Sequence, residues 1–98
     1  MALKDTCDFD LLVDIMKDIV IAELDKQLQL PEYEKICKCQ DCVLDIAAIS
    51  LNRLKPMYGS LKSFKGAMYK DHISKKSEAD IIKAIKSSID KVSSHPLH

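Results

Sequence analysis

The stretch ICKCQDCVLDIAAISLNRLKP, residues 36–56, places three cysteines within six positions and continues directly into an apolar run. From Asp41 to Leu54 apolar side chains fall on nearly every side of a helix, a pattern typical of a buried central helix. Pro56 ends that helix, because a proline disfavours helical backbone in the residue before it. The three cysteines therefore lie where a charged loop joins the predicted buried helix.

Two further helices are predicted, one on each side of the central one. Over residues 9–29 apolar residues recur at three- and four-residue spacing, and Asp8 or Asp10 is placed to cap the first turn. Additional apolar residues such as Ile21 widen this surface beyond one stripe, which favours contact with a second subunit. Residues 77–92 carry a single apolar stripe and predict the last helix.

Between the second and third helices, residues 55–76 form a lysine-rich connection that contains both glycines and shows no sustained period. Connections of this length tend to be functional, and we expect short turns or extended pieces there. A chain of 98 residues fits one domain. The predicted fold is all-α, a single small domain over residues 1–98 with three to four helices that forms a homodimer.

The formal net charge of zero conceals two oppositely charged halves. Residues 1–51 contain five lysines and eleven acids, a balance of −6, whereas residues 52–98 contain ten Lys and Arg and four acids, a balance of +6. Such a division favours either attraction between the halves or an anionic ligand on the basic half. Two solvated helix faces that differ in charge would explain the division as well.

The sequence shows no sign of a membrane segment or a signal peptide. No apolar run approaches the roughly 18 residues needed to span a bilayer, and MALKDTCDFD has acids where a signal peptide has basic and apolar regions. We therefore expect a cytoplasmic protein that does not enter a membrane. Disulfides are disfavoured in that compartment, so the four cysteines indicate metal binding or free thiols.

Cys37, Cys39 and Cys42 form the pattern C-x-C-x-x-C, whose thiolates can converge on one cation. Zn²⁺ suits such a site because it is soft enough for sulfur, has no redox chemistry and accepts tetrahedral ligands at about 2.3 Å. A redox pair is less favoured because no βαβ pattern surrounds the cysteines. Apolar filler is less favoured because Lys35 and Lys38 lie among them. We therefore predict a zinc site.

A fourth zinc ligand is needed, and Cys7 is the remaining cysteine. The predicted helix between Cys7 and the cluster spans about 30 Å, and the loop over residues 30–36 returns at most about 25 Å. Cys7 of a neighbouring subunit closes the site in one arrangement. In the others the ligand is Cys7 of the same chain or one of His72, His95 and His98. We favour Cys7.

Catalytic motifs are absent from the sequence, which has no G-x-G-x-x-G, no P-loop, no H-E-x-x-H and no nucleophile beside an evident base. We therefore expect no enzymatic activity. Lysines of the connection, among them Lys62 and Lys65, accompany Tyr58 and other aromatic residues, a composition that can bind phosphates and stack on bases. A solvated lysine face is the competing interpretation, and the zero net charge counts against direct DNA binding.

The segment CKCQDCVLDIAAISLNRLKPMY resembles the signature of the late competence protein ComFB family, and the resemblance extends over most of the chain. The shared features are clustered cysteines, an Asp three positions after the last of them, an Ala-rich helix, and a Leu-Asn pair followed by a proline and a tyrosine. In this sequence they are Cys37, Cys39, Cys42, Asp45, Ala47, Leu51, Asn52, Pro56 and Tyr58. Family members commonly carry two prolines before the tyrosine, whereas this chain has one.

The resemblance implies a mainly helical, zinc-binding homodimer of the bacterial cytosol that acts in late competence, which concerns DNA uptake and natural transformation. Related proteins in photosynthetic bacteria are receptors for cyclic dinucleotides, which implies cyclic di-GMP or cyclic di-AMP as a ligand. Asn52 and Arg53, beside Tyr58, are then placed to read a guanine edge and a phosphate. The alternative is a structural adaptor dimer that binds a competence or pilus-associated regulatory protein and no small molecule.

Overall fold

The computed structural model describes residues 2–60, 72 and 75–95, and most of this part of the chain is helical. The elements in chain order are α1 (Leu3–Thr6), a 3-10 helix (Phe9–Leu11), β1 (Leu12–Asp14), α2 (Ile15–Leu28), a second 3-10 helix (Pro31–Tyr33), α3 (Gln40–Asn52), β2 (Tyr58–Ser60) and α4 (Glu78–Ser94). The predicted lysine-rich connection lies largely outside the described residues. Within those residues, no helix has the length and apolar character needed to cross a bilayer.

The N-terminus of α2 is fixed by the carboxylate of Asp14. Its Oδ1 accepts a hydrogen bond from the backbone N–H of Met16 at 3.1 Å, so Asp14 is the N-cap of this helix. The same oxygen accepts the backbone N–H of Met57 at 2.8 Å. The backbone N–H of Ile15 in turn donates to the Met57 carbonyl oxygen at 2.7 Å. One side chain therefore caps a helix and holds against it a segment that follows α3.

The two short strands extend this contact between the start of α2 and the segment that follows α3. β1 and β2 pair antiparallel, with Val13 opposite Gly59. A Cβ atom at position 59 would lie 2.6 Å from Cδ1 of Ile15, which is a core residue only 6% exposed. Gly59 therefore allows the strand to approach the start of α2 more closely than a larger residue would without displacing packed atoms.

The predicted helix over residues 9–29 is wrong in its first part, and the all-α prediction omitted this two-stranded sheet. Asp8 caps only the short 3-10 helix, accepting the backbone N–H of Asp10 at 3.0 Å. The chain then extends as β1, and the long helix begins at Ile15. Pairing with β2 and the Asp14 cap override the local apolar periodicity that had indicated one continuous helix.

Helices α2, α3 and α4 pack against one another around a single core, and the contact between α3 and α4 is the most extensive. Two serines, Ser50 on α3 and Ser88 on α4, are fully buried in it. The Ser50 hydroxyl donates to the carbonyl oxygen of Ile46 at 2.8 Å, and the Ser88 hydroxyl donates to that of Ala84 at 2.7 Å. Each hydroxyl is thus satisfied within its own helix, which removes most of the cost of burying it.

Burial along α4 confirms the predicted stripe, whereas burial along α3 does not match the prediction. The buried residues of α4 include Ile81, Ile85, Ile89 and Val92. On α3, expected to be covered on nearly every side, the buried residues are Cys42, Ile46 and Ser50. Leu44 on the same helix is 56% exposed. The described residues therefore cover only one face of α3.

Replacing Asp14 should destabilise the fold through both of its hydrogen bonds. We expect Asp14→Ala to lower the free energy of unfolding by about 2–3 kcal/mol, because a helix cap and a second charge-assisted bond are lost together. Urea unfolding followed by circular dichroism measures this. The control is Asp8→Ala, which removes an exposed cap and should cost about 0.5 kcal/mol or less. Equal losses in the two variants would contradict the role given to Asp14.

Candidate metal centre

The loop before α3 is folded back on itself and attached to α4. The Lys38 ammonium donates to the backbone carbonyl oxygens of Tyr33 at 2.6 Å and Glu34 at 3.2 Å. The Lys86 ammonium on α4 pairs with Glu32 at 3.1 Å and lies 5.4 Å from the centre of the Tyr33 ring. Tyr33 itself is buried. These contacts fix the course of the chain just before the cysteines.

The structure brings Cys37, Cys39 and Cys42 together at the N-terminus of α3. Their three Sγ atoms all lie within 4.8 Å of one another. Cys39 is the N-cap residue of α3 and Cys42 belongs to its first turn. Cys37 and Cys39 are exposed, whereas Cys42 is buried. Tetrahedral Zn–S bonds of about 2.3 Å place sulfur atoms about 3.8 Å apart, so small side-chain movements suffice to hold such an ion.

The thiols of the cluster differ in acidity. The pKa of Cys39 is lowered, chiefly by the backbone N–H of Cys42 and next by the thiol of Cys37. Burial, reinforced by the neighbouring Cys39 and Cys37 sulfur atoms, raises the pKa of the Cys42 thiol to about 12. A second thiolate beside the first is therefore costly in the absence of a cation. A soft, tetrahedral cation such as Zn²⁺ relieves that repulsion and fits an all-sulfur donor set.

Among the residues that the structure describes, the other predicted ligands are not part of this cluster. Cys7 is exposed just after α1, with its Sγ 3.8 Å from the Thr6 hydroxyl, and neither it nor His72 or His95 belongs to the group of three. His98 lies outside the described residues. Because α2 has 14 residues, it spans about 21 Å, less than the 30 Å expected from the sequence. The identity of the fourth ligand stays a prediction.

A second candidate site, the basic pocket, lies at the opposite end of α3. It has a volume of about 560 Å³ and is lined by Met16, Arg53, Leu54, Lys55, Met57, Ser77, Asp80, Lys83, Ala84 and Ser87. The Arg53 guanidinium donates a hydrogen bond to the Ser87 hydroxyl, which holds it at the pocket wall. Three cationic side chains against one carboxylate make this a site for an anion rather than a cation.

Only part of the predicted ligand site coincides with the basic pocket. Arg53 lines it, whereas Asn52 and Tyr58 are exposed and do not. Lys62 and Lys65 lie outside the described residues. Sequence reasoning missed Lys83, which looked like one more solvated lysine of α4. Nothing in its local sequence distinguishes it, because the hydrogen bond from Arg53 to Ser87 that places the pocket against this part of α4 is seen only in the structure.

The comparisons with known proteins give the same family that the cysteine motif resembles. A family model described as late competence development protein ComFB matches residues 13–96. The chain belongs to the ComFB family. The solved structure of the late competence protein ComFB from Bacillus subtilis is 29% identical and superposes with a TM-score of 0.69, over 87% of this chain and 91% of that chain. No curated protein compared with the chain matches it. ComFB membership confirms the resemblance seen in the sequence and supports a role related to competence.

Differences in exposure predict different thiol reactivity in the metal-free protein. We expect iodoacetamide at pH 7.5 to modify Cys39 at least about tenfold faster than Cys42, because Cys39 is exposed with a lowered pKa and Cys42 is buried with a raised one. Peptide mass spectrometry of a time course measures both rates in one sample. Exposed Cys7 serves as an internal reference for accessibility. Equal rates at Cys39 and Cys42 would contradict the exposure of Cys39 and the burial of Cys42 at the N-terminus of α3.

Proposed function

We propose that this ComFB protein is a non-enzymatic, cytoplasmic regulatory protein of late competence, a homodimer in which each protomer binds one zinc ion. The observation that carries the zinc proposal is the group of three Sγ atoms within 4.8 Å at the N-terminus of α3. Family membership carries the link to competence. The ligands are Cys37, Cys39 and Cys42 together with Cys7, the last of which comes from the same or the partner protomer.

Zinc at this position acts on the fold rather than on a substrate. Its chemistry there is that of a structural cation, which binds thiolates and contributes directly to folding free energy. Cys37 belongs to the loop and Cys42 to the first turn of α3. Joining them secures the point at which the chain enters its central helix. The loop is already attached to α4 through Lys86 and Glu32, so the cysteines complete an existing set of contacts.

The basic pocket supports a regulatory ligand. We propose that a cyclic dinucleotide, cyclic di-GMP or cyclic di-AMP, places its phosphates against Arg53, Lys55 and Lys83. Arg53 retains N–H donors beyond the one given to Ser87, and guanidinium groups bind phosphate oxygens through several such donors. Asn52 and Tyr58 adjoin lining residues in sequence, and they remain in the proposal as base-reading groups. Lys62 and Lys65 remain in it as further phosphate contacts.

The zinc proposal predicts a defined metal content. We expect about one zinc per wild-type chain by elemental mass spectrometry, and loss of most of it in Cys39→Ser because three sulfur ligands become two. Ser93→Ala, an exposed change on α4, is the control and should keep its zinc. Retention of full zinc by Cys39→Ser would contradict the metal centre.

The role of Cys7 is tested separately. We expect Cys7→Ser to lower zinc content, and also to lower the dimeric fraction by light scattering if the partner supplies this ligand. A loss of zinc with an unchanged dimer assigns Cys7 to the same chain. Unchanged zinc and unchanged mass would remove Cys7 from the site and leave His72, His95 or His98 as the fourth ligand.

The receptor proposal is tested by calorimetric titration with cyclic di-GMP and cyclic di-AMP. We expect one of them to bind, and Arg53→Ala and Lys83→Ala each to weaken binding by about tenfold or more, as loss of a charge-assisted hydrogen bond does. Lys26→Ala removes an exposed lysine of α2 outside the pocket and should leave the affinity unchanged. Absence of heat up to millimolar ligand would contradict the receptor role and favour the adaptor that binds a competence or pilus-associated protein.

A further inference from the structure

The three thiols at the N-terminus of α3 differ in how a dissolved reagent can reach them. Cys39, the N-cap residue, is exposed, and so is Cys37 in the preceding loop. Cys42 is only 3% exposed and belongs to the hydrophobic core. All three Sγ atoms nevertheless lie within 4.8 Å of one another. A reagent in water therefore reaches Cys42 through one of its exposed neighbours rather than directly.

Cys39 is the neighbour best placed to pair with Cys42. The carbonyl oxygen of Cys39 accepts the backbone N–H of Val43 at 3.0 Å, so the first turn of α3 is closed across both cysteines. Side chains three positions apart on a helix lie on the same side, and C-x-x-C is a common spacing of redox-active cysteines. Cys37 and Cys39 have one residue between them, so a disulfide joining them closes a small and strained ring.

The chain holds the cluster in place with contacts that involve no thiol. The Lys38 ammonium, within the C-x-C segment, donates to the backbone carbonyl oxygens of Tyr33 and Glu34. Lys86 of α4 pairs with Glu32 at the start of the same loop. The sulfur atoms therefore stay adjacent when no cation joins them. Two cysteines that are already adjacent close a disulfide without the entropy cost of bringing distant segments together.

We propose that Cys39 and Cys42 form a disulfide by exchange with a low-molecular-weight disulfide such as glutathione disulfide, and that this disulfide displaces zinc. The inference rests on the zinc site of the proposed function and adds its regulation. Zinc ligation and the disulfide use the same sulfur atoms, so each excludes the other. Oxidation leaves Cys37 as the remaining thiolate of the cluster, too few sulfur ligands for a structural zinc site. It also ends the connection of Cys37 to α3, because the disulfide lies within the N-cap and first turn of that helix.

The exchange has two steps, and its atoms and electrons balance. The Cys39 thiolate attacks one sulfur of glutathione disulfide, the bond between the two glutathione sulfurs breaks, and one glutathione thiolate leaves. Cys42 gives its proton to solvent and attacks the Sγ of Cys39, which forms the internal disulfide and displaces the second glutathione thiolate. The cysteine pair loses two electrons, and the glutathione disulfide is reduced to two molecules of glutathione.

Glutathione disulfide added to the zinc-loaded wild-type chain tests the switch. We expect most of the zinc to pass to a chromogenic chelator while peptide mass spectrometry detects a Cys39–Cys42 disulfide, and dithiothreitol with added zinc to reverse both changes. Reduced glutathione at the same concentration is the control for chelation and should release little zinc. A zinc-loaded chain that keeps its metal and its thiols would overturn the switch and leave the zinc site standing. A chain that binds no zinc would contradict the zinc proposal, and the switch with it.

Two matched variants test the pairing and the order of the steps. Cys37→Ser keeps both members of the pair and should still form the Cys39–Cys42 disulfide, at a rate within about threefold of the wild type. Cys42→Ser lacks the second sulfur and should accumulate a glutathione adduct on Cys39, with circular dichroism showing whether its helices are retained. Because Cys42 is buried, the disulfide found in the wild-type chain decides the pairing even if Cys42→Ser does not fold. Zinc release with a disulfide at Cys37, or with glutathione adducts and no disulfide, would overturn the proposal.

Discussion

The carboxylate of Asp14 is the interaction on which the placement of the other elements depends. By accepting N–H groups from both Met16 and Met57, it begins α2 and attaches to that helix the segment that follows α3. Because this segment is held at α2, Arg53 and Lys55 lie beside Met16 and the first turns of α4, where they line the basic pocket. One capping residue thus determines both a helix boundary and the composition of a candidate ligand site.

Helix α3 has one candidate site at each of its ends. It begins at the thiol cluster, where Cys39 is its N-cap, and ends at Arg53, its C-cap and a wall of the basic pocket. Its 13 residues separate the two sites by about 20 Å. The thiol cluster suits the helix end at which it lies, since amide N–H groups at the N-terminus favour thiolates. The zinc and anion proposals therefore concern separate chemistry at opposite ends of one rigid element.

Much of the fold could be predicted because its signals are local. The apolar stripe of α4 and the C-x-C-x-x-C pattern each lie within a short segment, and both structures formed as expected. The strands could not be predicted, because they have three residues each and depend on contacts between residues more than 40 positions apart. Asp14 looked like one of several acids on the polar face of a longer helix. Nothing local distinguished it as the residue where that helix begins.

The functional surfaces were only partly predictable for a related reason. An apolar residue such as Leu44 looks the same in sequence whether it is buried or exposed, so α3 was expected to be buried on nearly every side. Lys83 could not be assigned to the basic pocket from sequence. Its neighbours there, Arg53 and Lys55, lie at or just after the C-terminal end of α3 and are distant from it along the chain. The clustered cysteines were found because their chemistry and their spacing occur together in six consecutive positions.

The buried serines of the core have a mechanical consequence. Because Ser50 and Ser88 direct their hydrogen bonds along their own helices, the α3–α4 contact around them is held by packing, which has little directional preference. Directional bonds join α4 to its surroundings at two adjacent residues, where Ser87 accepts from Arg53 and Lys86 donates to Glu32. Axial sliding of α4 along α3 is therefore resisted mainly at its attachment points. A molecule bound at Arg53 would act on one of the two places that set how far α4 can shift.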